Sequence, residues 1–369
     1  MTTNFSQDNL KQVSDFWGRE SRHNSALDIY SFLPIRRYFQ KLVTGAETQN
    51  PNDDWLESWF KNKYLGKNAP VGLCLSLCCG HGSRDRRLNQ LGVFKNCIGM
   101  DVSTAAIASA KRLRNLSGIN NIHYQTADLN SCSLGVELYD LIYIAGGAHH
   151  IANLEHLFNQ VYASLKKGGL LFCDEYIGPN YSDLSFRHRE IINSVIHLIP
   201  DRLKNFSEKN FVPPKLKYKK FKLLLFIIYN FRNLDISSVF ERYNINTNKI
   251  TNVIISINKI ILKYFSNKKE FNYSKVFDIS PENIKKGDPS EGIRSSEIIS
   301  VLKSVFTDVT VYPYNGSIVA YALDDKFISN YDSGNPDDLN LLNLILSLEG
   351  HYCEIGDIPS IHAAIIAKK

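Results

Sequence analysis

Ser76-Leu77-Cys78-Cys79-Gly80-His81-Gly82-Ser83-Arg84-Asp85 lies between an apolar run that begins at Val71 and an amphipathic stretch that continues to Leu91. Glycines at 80 and 82 let the backbone turn sharply and leave room for a ligand at a helix N-terminus, whose free N–H groups and positive dipole end favour an anionic group. A Gly-x-Gly pair alone also describes an ordinary tight turn, so its surroundings decide. Asp101 ends the next apolar run, 19 residues beyond Gly82. That is the position where a carboxylate at the end of a second strand meets ribose hydroxyls in nucleotide-binding folds.

From Val71 to Glu175 short apolar runs alternate with amphipathic stretches, the pattern of βα units on a parallel sheet. The runs are Val71–Leu77, Asn96–Met100, Asn121–Gln125, Tyr139–Ala145 and Gly169–Glu175, and the helical stretches are 84–91, 103–116 and 154–165. Strand-like segments return at Val309–Tyr312, Ser317–Tyr321 and Ile361–Ala367, and Asp288 opens a stretch read as helical. The fold class is therefore α/β: a Rossmann-like, doubly wound, mostly parallel sheet with an N-terminal helical arm and a helical insertion. The expected divisions are the arm at 1–65, a donor-binding core at 66–178, a basic helical insertion at 179–287, and completion of the sheet at 288–369.

Two cofactor classes share the loop geometry. A nicotinamide site normally has a third glycine at position 85 for close packing against a pyrophosphate, and here an acidic Asp85 stands there. S-adenosyl-L-methionine has no phosphate, and the remaining features suit it. Ala127-Asp128-Leu129 ends the third run where a carboxylate can accept from an adenine amino group, and Ala145-Gly146-Gly147-Ala148-His149-His150 provides a small-residue exit from the fourth.

In these segments the chain resembles the class I S-adenosyl-L-methionine-dependent methyltransferases, from Leu73 to Glu175 in order and spacing. It also resembles a bacterial subgroup of them found among glycan and natural-product biosynthesis proteins, through Asp174-Glu-Tyr-Ile-Gly-Pro, Asp288-Pro-Ser-Glu-Gly-Ile-Arg and Tyr312-Pro-Tyr-Asn-Gly. The resemblance implies a donor site built from Cys79, Gly80, His81, Gly82, Asp101, Val102, Ala127, Asp128, Leu129, Ala145 and Gly146, with S-adenosyl-L-homocysteine as product. The chain departs from the family at Ser76, where an acidic residue that helps hold the donor's ammonium is usual, and at Cys78, where a glycine is usual. Asp85 or backbone carbonyls are the replacements available for the ammonium.

Methyl transfer to a hydroxyl requires positioning, desolvation and removal of a proton. His149 and His150, just beyond the fourth strand, and Glu175, at the end of the fifth, are the candidate catalytic residues. Tyr176, Glu291 and Arg294 are candidates for substrate binding, and Glu291 and Arg294, three apart, also fit an ordinary helical ion pair. Phe16-Trp17 is a candidate cover for the donor site or a packing element of the core. The expected reaction is O-methylation of a small-molecule or glycan acceptor. The alternatives are C- or N-methylation of a natural product, or a non-catalytic protein of this fold that docks elsewhere.

The net charge of +6 is unevenly distributed: residues 201–275 hold 16 Lys/Arg against 5 Asp/Glu, leaving 27 against 32 in the rest. Lys215, Lys217, Lys219, Lys220 and Lys222 flank an apolar run, so the insertion reads either as a solvated lid or as a docking surface for an anionic membrane or an acidic carrier protein. Nucleic acid is disfavoured, because no recognisable nucleic-acid module is present and the Asn/Asp-Pro-Pro-aromatic signature of base-amine methylation is absent after the fourth strand. No zinc-ligand spacing occurs, and no metal is expected. The polar N-terminus, the longest apolar run of only Leu223–Tyr229 and an odd seven cysteines give a cytoplasmic expectation with reduced thiols.

Overall fold

The computed structural model describes residues 7–18, 29, 32–46, 55–204, 280–323, 328 and 330–369. Chain contacts divide the protein into Met1–Leu203 with Phe277–Lys369, and Lys204–Val276. The lysine run 215–222, with both readings of it, lies outside the described residues.

Seven strands form one sheet: β1 (Val71–Leu77), β2 (Phe94–Asp101), β3 (Ile122–Thr126), β4 (Tyr139–Ala145), β5 (Leu165–Tyr176), β6 (Asp308–Gly316) and β7 (Ser360–Lys368). Their order is β3-β2-β1-β4-β5-β7-β6. The first five are parallel, and β7 runs antiparallel to both β5 and β6. Central strands are apolar on both faces, as β4 shows with Leu141, Ile142, Tyr143 and Ile144 all buried, because helices cover a parallel sheet from both sides. The α/β reading therefore holds. The order reverses between β1 and β4, and at such a reversal the loops leave the strands in opposite directions and open a crevice.

Helices α1 (Gln7–Trp17), α2 (Leu33–Thr44) and α3 (Trp55–Phe60) precede the sheet. Helices α4 (Ser83–Gln90), α5 (Thr104–Leu116) and α6 (Leu154–Ser164) make the crossovers, and α7 (Phe186–Leu198) follows β5. Ser103 caps α5 by accepting from the Ala106 amide, and Asn153 caps α6 by accepting from His156. Phe60 stacks on Phe172 with ring centroids 4.3 Å apart, which seats α3 on the sheet.

One expected strand is a helix. Ser317–Ala322 is helical, although Ser-Ile-Val-Ala-Tyr has a strand-like composition. Ser317, Ile318, Val319 and Ala322 are all buried, so no polar alternation distinguishes the two periods. The tertiary contact that settles it comes from Glu349, on the helix Pro336–Glu354, whose Oε2 accepts from the Val319 amide at 2.7 Å. Gly316 makes room, since a Cβ there would lie 2.7 Å from Glu349 Cγ.

Glu349 is buried and its Oε1 has no hydrogen-bond partner, so burial pushes its pKa from 4.5 to about 7. The folded state therefore holds this proton more tightly than the unfolded chain does, and stability falls as pH rises from about 4.5 through 7. Glu349→Gln removes that loss: the variant should gain about 3 kcal/mol relative to the parent between pH 4.5 and pH 8. Urea denaturation of both proteins at the two pH values measures it, and a parallel pH dependence would contradict the assignment.

Candidate functional site

Two cavities meet at the carboxyl edge of the sheet. The larger, about 790 Å³, is lined by Cys79, Gly80, His81, Asp101, Val102, Ala127, Asp128, Leu129, Ala145, Gly146 and His150, together with Trp17, Ser76 and Asp85. The smaller, about 450 Å³, contains His149, Asp174 and Tyr176 with Trp55, Tyr314 and Arg36. Ala145, Gly146 and Arg84 border both. The exit of β4 is thus the wall between them.

The first cavity is built on the glycine loop. Cys78, Gly80 and Gly82 all have positive φ, and Gly82 starts α4. A Cβ on Gly82 would lie 2.2 Å from the Tyr124 hydroxyl, so only glycine fits. Asp101 accepts from the Gly80 amide at 2.9 Å and the Ser103 amide at 2.8 Å, which ties the loop to the end of β2. A carboxylate has about four lone-pair directions, so Asp101 retains acceptor capacity for hydroxyls. Asp128 is more committed: its Oδ1 accepts from the backbone and side-chain amides of Asn130.

Ser76 donates to Asp85 Oδ1 at 2.6 Å, and Asp85 Oδ2 is buried without a hydrogen-bond partner. Burial raises the Asp85 pKa to about 6 against the lowering effect of the Ser76 bond. A cation reaching this oxygen would relieve that cost.

Beyond β4 the chain makes one 3₁₀ turn, Ala148–His150, held from behind by Glu175. Glu175 Oε1 accepts from the Gly147 and Ala148 amides, both at 2.8 Å, and Oε2 pairs with His149 Nδ1 at 2.9 Å. The carboxylate can only accept here, so Nδ1 carries the proton and Nε2 of a neutral His149 is left with its lone pair. Glu175 is thus a positioning residue. His150 is held in a similar way. Ser290 donates to Asp288 Oδ1 at 2.6 Å, and its oxygen can then accept from His150 Nδ1 at 2.9 Å. Trp17 Nε1 donates to Asp288 Oδ2 at 2.9 Å and packs edge-on to His150, bringing the N-terminal arm into the site.

Glu291 faces both imidazoles, 3.7 Å from His149 Nε2 and 3.9 Å from His150 Nε2. Burial disfavours the His149 imidazolium, but Glu175, Glu291 and Asp288 outweigh it and raise the pKa. Burial and the neighbouring His149 push His150 well below the ordinary range. Arg294 lines neither cavity. It binds Glu155 at 2.6 and 2.8 Å and Glu297 at 2.7 Å, so the anticipated Glu291–Arg294 pair does not form. The reason is that Asp288–Arg294 is a turn segment and regular helix begins only at Ile298.

Residues 74–169 match the family model described as a methyltransferase domain. The cofactor that such a domain implies is S-adenosyl-L-methionine. No curated protein matches the chain. Among solved structures it is similar to the YcgJ protein of Bacillus subtilis (20% identity, 36% of this chain and 52% of that one, TM-score 0.29). It is also similar to S-adenosylmethionine-dependent methyltransferases of Mesorhizobium loti (25%, 33% and 53%, 0.29) and Clostridium acetobutylicum (24%, 35% and 52%, 0.30). The match spans about half the length of each of these structures.

The larger cavity fits that cofactor on the observations above: a loop that only glycine completes, acceptor capacity left at Asp101, and an unpartnered carboxylate oxygen at Asp85. When bound, the cofactor supplies a methyl group activated by a sulfonium. Asp101 would hold the ribose, and Asp85 rather than Ser76 would face the ammonium. No helix among the described residues is long and apolar enough to cross a membrane, and all seven cysteines are free.

Gly82→Ala should abolish S-adenosyl-L-homocysteine binding and cost about 1–3 kcal/mol of stability, since a side chain at φ +70° meets Tyr124. Asp85→Asn should fold normally and bind the product nucleoside about tenfold more weakly, a loss of about 1.4 kcal/mol. Calorimetric titration decides both, and undiminished affinity in Asp85→Asn would remove that carboxylate from the donor site.

Proposed function

We propose that the protein transfers the methyl group of S-adenosyl-L-methionine to a hydroxyl of a small-molecule or glycan acceptor bound in the smaller cavity. The supporting observation is the position of the His149–His150 turn. It stands at the wall shared by the two cavities, with His150 on the larger and His149 on the smaller. An acceptor oxygen placed against Gly146 would have the donor on one side and the imidazole and carboxylate groups on the other.

The walls of the smaller cavity suit a hydroxylated ring. Trp55, Tyr176 and Tyr314 offer aromatic faces, and Asp174, held by the Tyr314 hydroxyl at 2.6 Å, offers a polar contact. A buried Glu57 accepts from Arg84 at 2.6 Å and from Tyr143 at 3.0 Å, fixing the guanidinium that borders both cavities. Positioning a nucleophile in line with the sulfonium supplies much of the rate in such a reaction.

Incubating the protein with methyl-labelled S-adenosyl-L-methionine and a panel of sugars and polyhydroxylated natural products, then locating the label by mass spectrometry and NMR, tests the reading. Label should appear on oxygen. His149→Ala should lower kcat by about 10²–10⁴ while S-adenosyl-L-homocysteine binding persists. Label on carbon or nitrogen, or full turnover in His149→Ala, would refute this assignment.

A further inference from the structure

The sequence separates His149 and His150 from Glu291 by more than a hundred residues, and the fold brings their ligating atoms within 4.8 Å of one another. Each imidazole is anchored through Nδ1, His149 by Glu175 and His150 by the Ser290–Asp288 pair. With Nδ1 so engaged, each ring turns its Nε2 toward the Glu291 carboxylate. Three ligating atoms converge, and neither imidazole–carboxylate approach reaches hydrogen-bond distance. Two imidazole nitrogens and a carboxylate oxygen gathered in this way match the donor set of a metal ion.

We propose that His149 Nε2, His150 Nε2 and a Glu291 carboxylate oxygen bind a divalent transition-metal ion. Two imidazoles and one carboxylate are the ligands of catalytic zinc sites that keep an open coordination position, and the same set holds non-haem iron. Histidine ligands whose other nitrogen donates to a carboxylate or to a carboxylate-backed hydroxyl are the usual surroundings of such sites. Donors about 2.0–2.1 Å from a tetrahedral zinc lie about 3.4 Å apart. Glu291 already lies 3.7 and 3.9 Å from the two nitrogens, within about half an ångström of that spacing, and its side chain is 38% exposed. The histidines are already fixed.

The location gives the ion a task that rests on the O-methylation reading. Lying beside the wall between donor and acceptor cavities, it would hold the acceptor oxygen in its open position and make that hydroxyl more acidic. Carbon or nitrogen acceptors would gain little from it.

The test uses the full chain after dialysis against a chelator, titrated calorimetrically with zinc chloride and, separately, manganese and magnesium chloride. One zinc per chain should bind with a micromolar or tighter Kd, and magnesium much more weakly. Glu291→Gln should weaken zinc binding by about 10–100-fold while S-adenosyl-L-homocysteine still binds, and His150→Ala should weaken zinc binding to the same extent. On the unsubstituted protein, zinc should shift the Nε2 resonances of His149 and His150 in histidine ¹⁵N NMR, a readout that does not depend on any variant folding. Product nucleoside binding without zinc binding would overturn the metal site and leave the donor reading intact. Zinc binding that ignores both substitutions and leaves the two histidine resonances unmoved would place the ion elsewhere, on the cysteines for instance, and also overturn it. A metal that binds as expected but leaves label on carbon or nitrogen would keep the site and refute the hydroxyl reading.

Discussion

Glu175 is buried at the end of β5 and devotes both carboxylate oxygens to the loop that leaves β4. Taking such a group out of water costs several kcal/mol unless hydrogen bonds replace the lost hydration, and here two amides and an imidazole do so. The compensation works only with the loop in this one conformation. Backbone pairing reinforces it, because Ala145 is in register with Asp174 and the Gly146 amide donates to the Asp174 carbonyl at 2.8 Å. The histidine turn is consequently an extension of the sheet edge, with its side chains aimed by the core.

The donor half depends on a second set of matched residues. Cys78 adopts a left-handed φ of 53°, costly for a residue with a side chain. Its neighbour in space is Gly147, where a Cβ would lie 2.3 Å from that of Cys78. The side chain at 78 and its absence at 147 fill one volume, so the departure from glycine in the first loop is compensated in the fourth. Ser76 and Asp85 make a comparable exchange: the strand carries a hydroxyl, and the carboxylate reaches it from the first turn of α4.

Much of the sheet could be read from the sequence because its signals are local. Gly80, Gly82, Asp101 and Asp128 mark the ends of successive strands, and each stands within one βα unit of the last, so chain spacing alone locates them. The pairs that complete the site are not local. Trp17 meets Asp288 across 271 residues and His150 meets Ser290 across 140, and nothing in composition or periodicity announces either. Ser317–Tyr321 reads as a strand but folds as a helix for a related reason: a segment buried on all sides has no polar face to reveal its period, and Glu349, far along the chain, decides it. Glu291 and Arg294 had the spacing of a helical pair but lie on a turn, where each finds a partner from another element.

The histidine turn is the point where donor and acceptor meet, and a crystal structure of the chain with S-adenosyl-L-homocysteine bound tests this most directly. The expected result places the ribose at Asp101, the ammonium at Asp85, and the sulfur against Gly146 facing the cavity that holds His149. A sulfur directed away from Ala145 and Gly146, with the histidine turn outside the path to the smaller cavity, would contradict it.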